Sequence, residues 1–168
     1  MIVLETERLI LRHATLDDAP FMFQLLNDPS WIKFIGDRNI KTIVDAKNYT
    51  EKNIIQSYEK NGFGLFLTEL KKDNTPIGLC GLVNRSQIED IDIGFAFMPN
   101  FKGKGYGYES AAAVMEYARK KIGLKKIVAI TVKENVHSIA LIKKLGLHYE
   151  KTFAFDGSSD IVELYVTQ

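Results

Sequence analysis

The chain has 168 residues, 46% apolar and 26% charged, the balance of a globular protein with room for one core. A net charge of +1 implies no polyanion partner, so no nucleic acid is expected, and the single cysteine, Cys80, excludes an intrachain disulfide. The charged N-terminus (Glu5, Glu7, Arg8, Arg12, Asp17, Asp18) is unlike a secretory leader and no stretch is apolar enough to span a membrane, so one cytoplasmic domain over residues 1–168 is expected. Leu9 to Leu11 reads as a strand. Thr15 with Asp18 three places on is a capping pattern that opens a helix to about Asn27, and Asp28-Pro29 ends it. Thr42 and Asp45 repeat the pattern for a helix to about Lys60, stopped by Asn61-Gly62. Residues 63–70 and 76–84 are strands around the turn at 71–75, and 87–97 is a third strand. Ala111, Met115, Ala118 and Ile122 form an apolar face at helical spacing over 110–122. Then come a strand (127–132), a helix (136–145) and two strands (147–155 and 161–167) joined by a turn at 156–159. The order β-αα-βββ-α-β-α-ββ predicts an α/β (mixed α+β) fold, a central mixed sheet of about seven strands with helices on both faces.

The most informative segment lies between the third strand of that sheet and the helix after it. Gly103, Gly105 and Gly107 alternate there with Lys102, Lys104, Tyr106 and Tyr108. Glycine lets backbone approach a ligand and adopt positive φ. A helix N-terminus offers unpaired N–H groups and partial positive charge, which together suit a phosphate or pyrophosphate. The P-loop string Gly-x-x-x-x-Gly-Lys-Ser/Thr is absent, and the dinucleotide spacing Gly-x-Gly-x-x-Gly does not fit.

Lys102 to Gly107 resembles Arg/Gln-x-x-Gly-x-Gly/Ala, the acetyl-CoA pyrophosphate loop of the GNAT N-acetyltransferase superfamily, with Lys for Arg or Gln at its head. Asn135 to Ser138, followed by a helix and Leu145-Gly146-Leu147, resembles that superfamily's second cofactor element. Thr6 to Arg12, Ile77 to Leu82 and Ile93 to Phe95 are similar to the ribosomal-protein N-terminal (RimJ/RimL-like) branch. The matches run in order over residues 4–166. The resemblance implies a GNAT-like fold in which the strand before the loop and the next strand splay apart to admit the pantetheine arm. It also implies acetyl-CoA as cosubstrate with no metal, and an amine acceptor, either a protein N-terminus or a small molecule. The implied assembly is a monomer or homodimer. Implied cofactor contacts are the backbone of Phe97 and Met98, the loop Lys102, Gly103, Lys104, Gly105, Tyr106, Gly107 and Tyr108, and Asn135 with Ser138.

Acetyl transfer to an amine needs a neutral amine, a polarised carbonyl and a proton for the leaving thiolate. Much of the superfamily supplies that proton from a tyrosine seven residues after the motif asparagine, but Ile142 stands there. The ribosomal-protein branch places a serine three residues after it, which here is Ser138. Ser138 therefore either serves the leaving thiolate or only caps its own helix. Asp92 shares a strand face with Gly94 and Ala96, as a base beside the amine site or as a solvated carboxylate next to Glu89 and Asp90. Asp156 is a second candidate base. Trp31, Phe34, Ile35, Asp37 and Arg38 fall between the first two helices, from which relatives build part of the acceptor surface, and could line it; plain core packing explains Trp31 and Phe34 equally well. The three histidines have no partners at metal-ligand spacing. A protein α-amine (pKa near 8) costs about 1.4 kcal/mol to neutralise at pH 7, against about 4.6 for a lysine amine, so a chain without an obvious strong base suits low-pKa amines. The alternative reading is a catalytically silent CoA-binding or regulatory domain.

Overall fold

Two N-terminal hairpin strands, β1 (Ile2–Glu5) and β2 (Leu9–Arg12), begin the sheet in the computed structural model, which describes residues 1–168. β3 (Leu65–Leu70), β4 (Pro76–Val83) and β5 (Asp92–Phe97) continue it antiparallel, and β6 (Val128–Thr131), β8 (Ile161–Val166) and β7 (His148–Ala154) complete it in that spatial order. The sheet has eight strands rather than about seven. The extra strand is β1, whose Val3 and Leu4 are only partly buried and carry little alternation to read.

Helices cover both faces. α5 (Tyr106–Tyr117) and α6 (Val136–Lys144) bury Ala111, Val114, Met115 and Ile142 against Phe66, Cys80, Leu82 and Ile93. On the other face α1 (Ala19–Leu26), α2 (Pro29–Phe34), α3 (Ile43–Thr50) and α4 (Gln56–Asn61) pack Met22, Leu25, Trp31, Ala46 and, from the turn between α3 and α4, Ile54 against Leu67 and Leu79. The expected capping pairs are present. Asp18 accepts from the Thr15 N–H at 2.7 Å, and Thr42 and Asp45 exchange two bonds of 3.0 Å. Asp28-Pro29 ends α1 and also starts α2: the Asp28 carboxylate accepts from the Ser30 N–H, and Pro29 takes the first helical position, where its missing N–H costs nothing. α3 runs into α4 through one wide turn, Glu51–Ile55, and Gly62 stops the pair at φ 77°.

The feature that positions the site is a split in the sheet. β5 and β6 run parallel and share a single bridge, Asp92 to Val128. Beyond it the two strands have no partner on their facing edges.

Candidate active site

β5 carries the chain from the split into the glycine loop. Its pairing with β4 alternates, so the backbone of Asp92, Gly94, Ala96 and Met98 turns toward β4 and that of Phe95 and Phe97 toward the gap. Met98 is committed on both sides: its N–H donates to Ile77 O at 2.9 Å and its carbonyl accepts from Phe101 N at 3.0 Å. The Met98 N–H and carbonyl, expected to pair with a cofactor, are thus taken within the chain, and the backbone edges left facing the gap are those of Phe95 and Phe97. Across the gap, the backbone of Ile130 faces the same space, because Ala129 and Thr131 turn toward β8.

The loop itself has the geometry an anion needs. Gly103 and Gly105 stand at φ 76° and 85°, and Gly105 caps α5. The first helical bond runs from Glu109 N–H to Gly105 O at 3.0 Å. The N–H groups of Tyr106, Gly107 and Tyr108 thus leave the helix end without intrahelical partners. Gly107 has a different reason to be small: a Cβ there would stand 3.1 Å from Leu141 of α6. These free backbone donors fit a pyrophosphate, which they would hold without help from a side chain.

The loop's side chains are held elsewhere. The Lys102 ammonium donates to Ser30 Oγ at 2.8 Å, and Ser30 in turn bonds the Asp28 carboxylate, which ties the loop to α2. Lys144 sits over the Tyr108 ring at 4.2 Å. Arg8, read in the sequence only as part of a strand motif, braces the loop from outside. It donates to Lys104 O at 3.1 Å and to Glu109 at 3.2 Å, and its guanidinium lies 4.3 Å over the Tyr106 ring. No sequence spacing could link residue 8 to residues 104–109; the link exists only once β2 reaches the sheet.

Beside the gap lies a cleft of about 630 Å³. Asp92, Asn135 and Ser138 line it with Trp31, Arg38 and Arg85. Asp37 does not: its carboxylate accepts from Asn39 N–H at 2.8 Å and shapes the chain before Arg38. Asp156, on the exposed β7–β8 turn, does not line it either. Asn135 caps α6, its Oδ1 accepting from Ser138 N–H at 3.3 Å. The Ser138 hydroxyl is thus not the cap and has no partner in the protein. Ile142 is buried in the core beneath.

Asp92 is the strongest electrostatic feature. Rather than being solvated beside Glu89 and Asp90, it is 2% exposed. Arg85 Nε donates to Oδ2 at 3.1 Å, while Oδ1 is buried with no partner. Burial pushes its pKa up, and Arg85 only partly offsets this. Cys80, by contrast, is fully buried, its thiol pushed up to about 12 by burial, so it is no nucleophile. No group of three or more His, Cys, Asp or Glu side chains is placed to hold a metal, and no helix is long and apolar enough to cross a membrane.

Residues 8–148 match the family model described as Acetyltransferase (GNAT) domain. The chain is 30% identical over 148 residues to the uncharacterized N-acetyltransferase YnaD of Bacillus subtilis, covering 88% of this chain and 84% of that protein. It is 26% identical to the spermidine N(1)-acetyltransferase of Escherichia coli, over 83% of this chain and 73% of that one. Its fold superimposes on the ribosomal-protein α-N-acetyltransferase RimL in complex with coenzyme A with a TM-score of 0.83, at 18% identity and covering 99% and 97% of the two chains.

Proposed function

Because the chain belongs to the GNAT acetyltransferase family, we propose that it passes an acetyl group from acetyl-CoA straight to a primary amine, with no acyl-enzyme intermediate. The bound thioester supplies the activated acetyl group. The chain's own residues bind it and manage protons. Backbone edges of Phe95, Phe97 and Ile130 can take amide groups in the gap, and the glycine loop can take phosphates at the N-terminus of α5. Asp92 Oδ1 accepts the proton of the attacking amine. Its raised pKa suits that role, because a base works best when its pKa approaches the working pH. Arg85 holds the other oxygen and fixes the carboxylate's orientation. Ser138 Oγ donates a hydrogen bond to the departing thiolate.

The observation that carries this reading is the meeting of an unpartnered buried carboxylate oxygen and Ser138 in one cleft beside the sheet gap. Free thiol released from acetyl-CoA, followed with a thiol reagent across amino acids, peptides and small amines, tests it. Amine-dependent release supports the reading, and none from any amine leaves the silent CoA-binding alternative. Within this scheme Ser138→Ala is expected to lower turnover about 10²-fold. Acetyl-CoA affinity and melting temperature should hardly change, because Asn135 makes the helix cap. A lowered melting temperature with full turnover would return Ser138 to a purely structural role.

A further inference from the structure

Resting on the acetyltransferase reading, we infer that the acceptor is a primary amine that also carries an anionic group, a carboxylate or phosphate a few bonds from the nitrogen. The cleft is lined by three charged side chains: Arg38, Arg85 and Asp92. Arg85 spends one nitrogen on Asp92, and the rest of its guanidinium has no partner. Arg38 forms no ion pair. The chain folds back at the end of α2 so that Arg38 Nη1 lies 3.7 Å from where a Cβ on Gly36 would stand. That places a free guanidinium at the end of the helix that carries Trp31.

Two buried, unpartnered atoms belong to residues that line the cleft, and they narrow the choice. Trp31 is 5% exposed, and its indole Nε1 has no hydrogen-bond partner. An indole N–H can only donate, so it calls for an acceptor atom on the ligand. Asp92 Oδ1 calls for the opposite, a donor. Buried polar groups are costly to leave unmet, so a ligand that meets both is favoured. Guanidinium forks match carboxylate and phosphate oxygens in shape as well as charge. A ligand that offers an amine to Asp92 and an anion to Arg38 and the Trp31 indole N–H answers each of these three groups. A polyamine satisfies one of them. Its other ammonium groups would face two arginines and no free carboxylate.

Trp31 is the sole tryptophan, so its fluorescence reports occupancy without any turnover. The test titrates the full chain, with CoA present, with matched pairs: free amino acids against their C-terminal amides, and phosphoethanolamine against ethanolamine. Spermidine and a peptide beginning with two acidic residues are added as single ligands. The expected result is a saturable change with at least one acid-bearing amine, at a Kd at least tenfold below that of its neutral partner. Which pair responds separates carboxylate from phosphate, and the peptide arm separates free amino acids from protein N-termini. Arg38→Gln should erase the tenfold preference, and Arg38, being exposed, is not needed for folding. Equal binding of the neutral partners, tighter binding of spermidine, or silence from every acid-bearing amine would overturn the inference. Charge-selective binding without any release of CoA would sink the acetyltransferase reading and leave the acceptor site standing.

Discussion

Gly105→Val is expected to lower acetyl-CoA affinity at least 10²-fold while the domain stays folded. Gly105 sits at φ 85°. An L-residue in the left-handed region costs about 1–2 kcal/mol, and a β-branched one fits there worst. The new Cβ would also stand 3.2 Å from Nη2 of Arg8, the side chain that braces the loop through Nε and Nη1. Relief comes from turning the backbone, and that turns the N–H groups of Tyr106, Gly107 and Tyr108 away from a common centre. A cradle of backbone donors has no side chain to compensate for such a turn. Gly123→Val is the matched control: φ is again 85°, and a Cβ there meets nothing within 4 Å. Both variants should lose similar stability, and only Gly105→Val should lose acetyl-CoA in a calorimetric titration. Normal binding by a folded Gly105→Val would mean that the loop does not hold the pyrophosphate.

Asp92→Asn should cut turnover about 10³-fold, within the usual range for a removed acid–base group, and yet raise the melting temperature at neutral pH. The folded-state pKa of Asp92 is raised above its unfolded value by burial. Its contribution to stability is therefore most favourable at low pH. It declines as pH rises from the ordinary carboxylate value to the raised one, and stays down above that. Asparagine does not titrate, so the stability gap in favour of the variant should open across that window. Arg85 loses its partner but is half exposed and can be solvated. A residue kept for structure would lose stability when replaced; a residue kept for chemistry often gains it. Thermal melts from pH 4 to 8, set beside turnover on the same samples, decide the matter. A Tm that falls at neutral pH with turnover intact would make the Arg85–Asp92 pair a structural tie.

Local chemistry explains what could be read in advance. The Thr15–Asp18 and Thr42–Asp45 caps, the stop at Gly62 and the apolar face of α5 each depend on residues a turn or two apart. A second function for Asp28-Pro29 was hidden because the same dipeptide both ends one helix and caps the next. The loop's backbone geometry was legible at Gly103 and Gly105, where a positive φ is needed. The site was poorly legible where long-range partners decide. Asp92 sits two residues beyond Asp90 in an acidic stretch, and nothing local says that it turns inward to Arg85. Met98 looked available until β4 took its N–H. Arg8 reaches the loop across a separation of 96 residues. The candidate acceptor cleft was hardest, because Arg38, after α2, and Arg85, between β4 and β5, are far apart in the chain and line one cleft only once it has folded.

The single bridge between β5 and β6 has a further consequence for the protein's life without a ligand. A continuous sheet has two edges, and this one has four. The outer edge at β7 is blunted by Glu150 and Lys151, charges of the kind that discourage another strand from adding. The inner edges present Phe95, Phe97 and Ile130, with no charge among them. Pantetheine in the slot would act as a stopper as well as a reactant, and a molecule lacking it holds open a docking place for any extended chain. Colloidal behaviour should therefore track coenzyme supply. Light scattering of concentrated protein is expected to grow on warming when CoA is stripped and to stay flat when it is added, and indifference to CoA would show that the slot is already closed by its own walls.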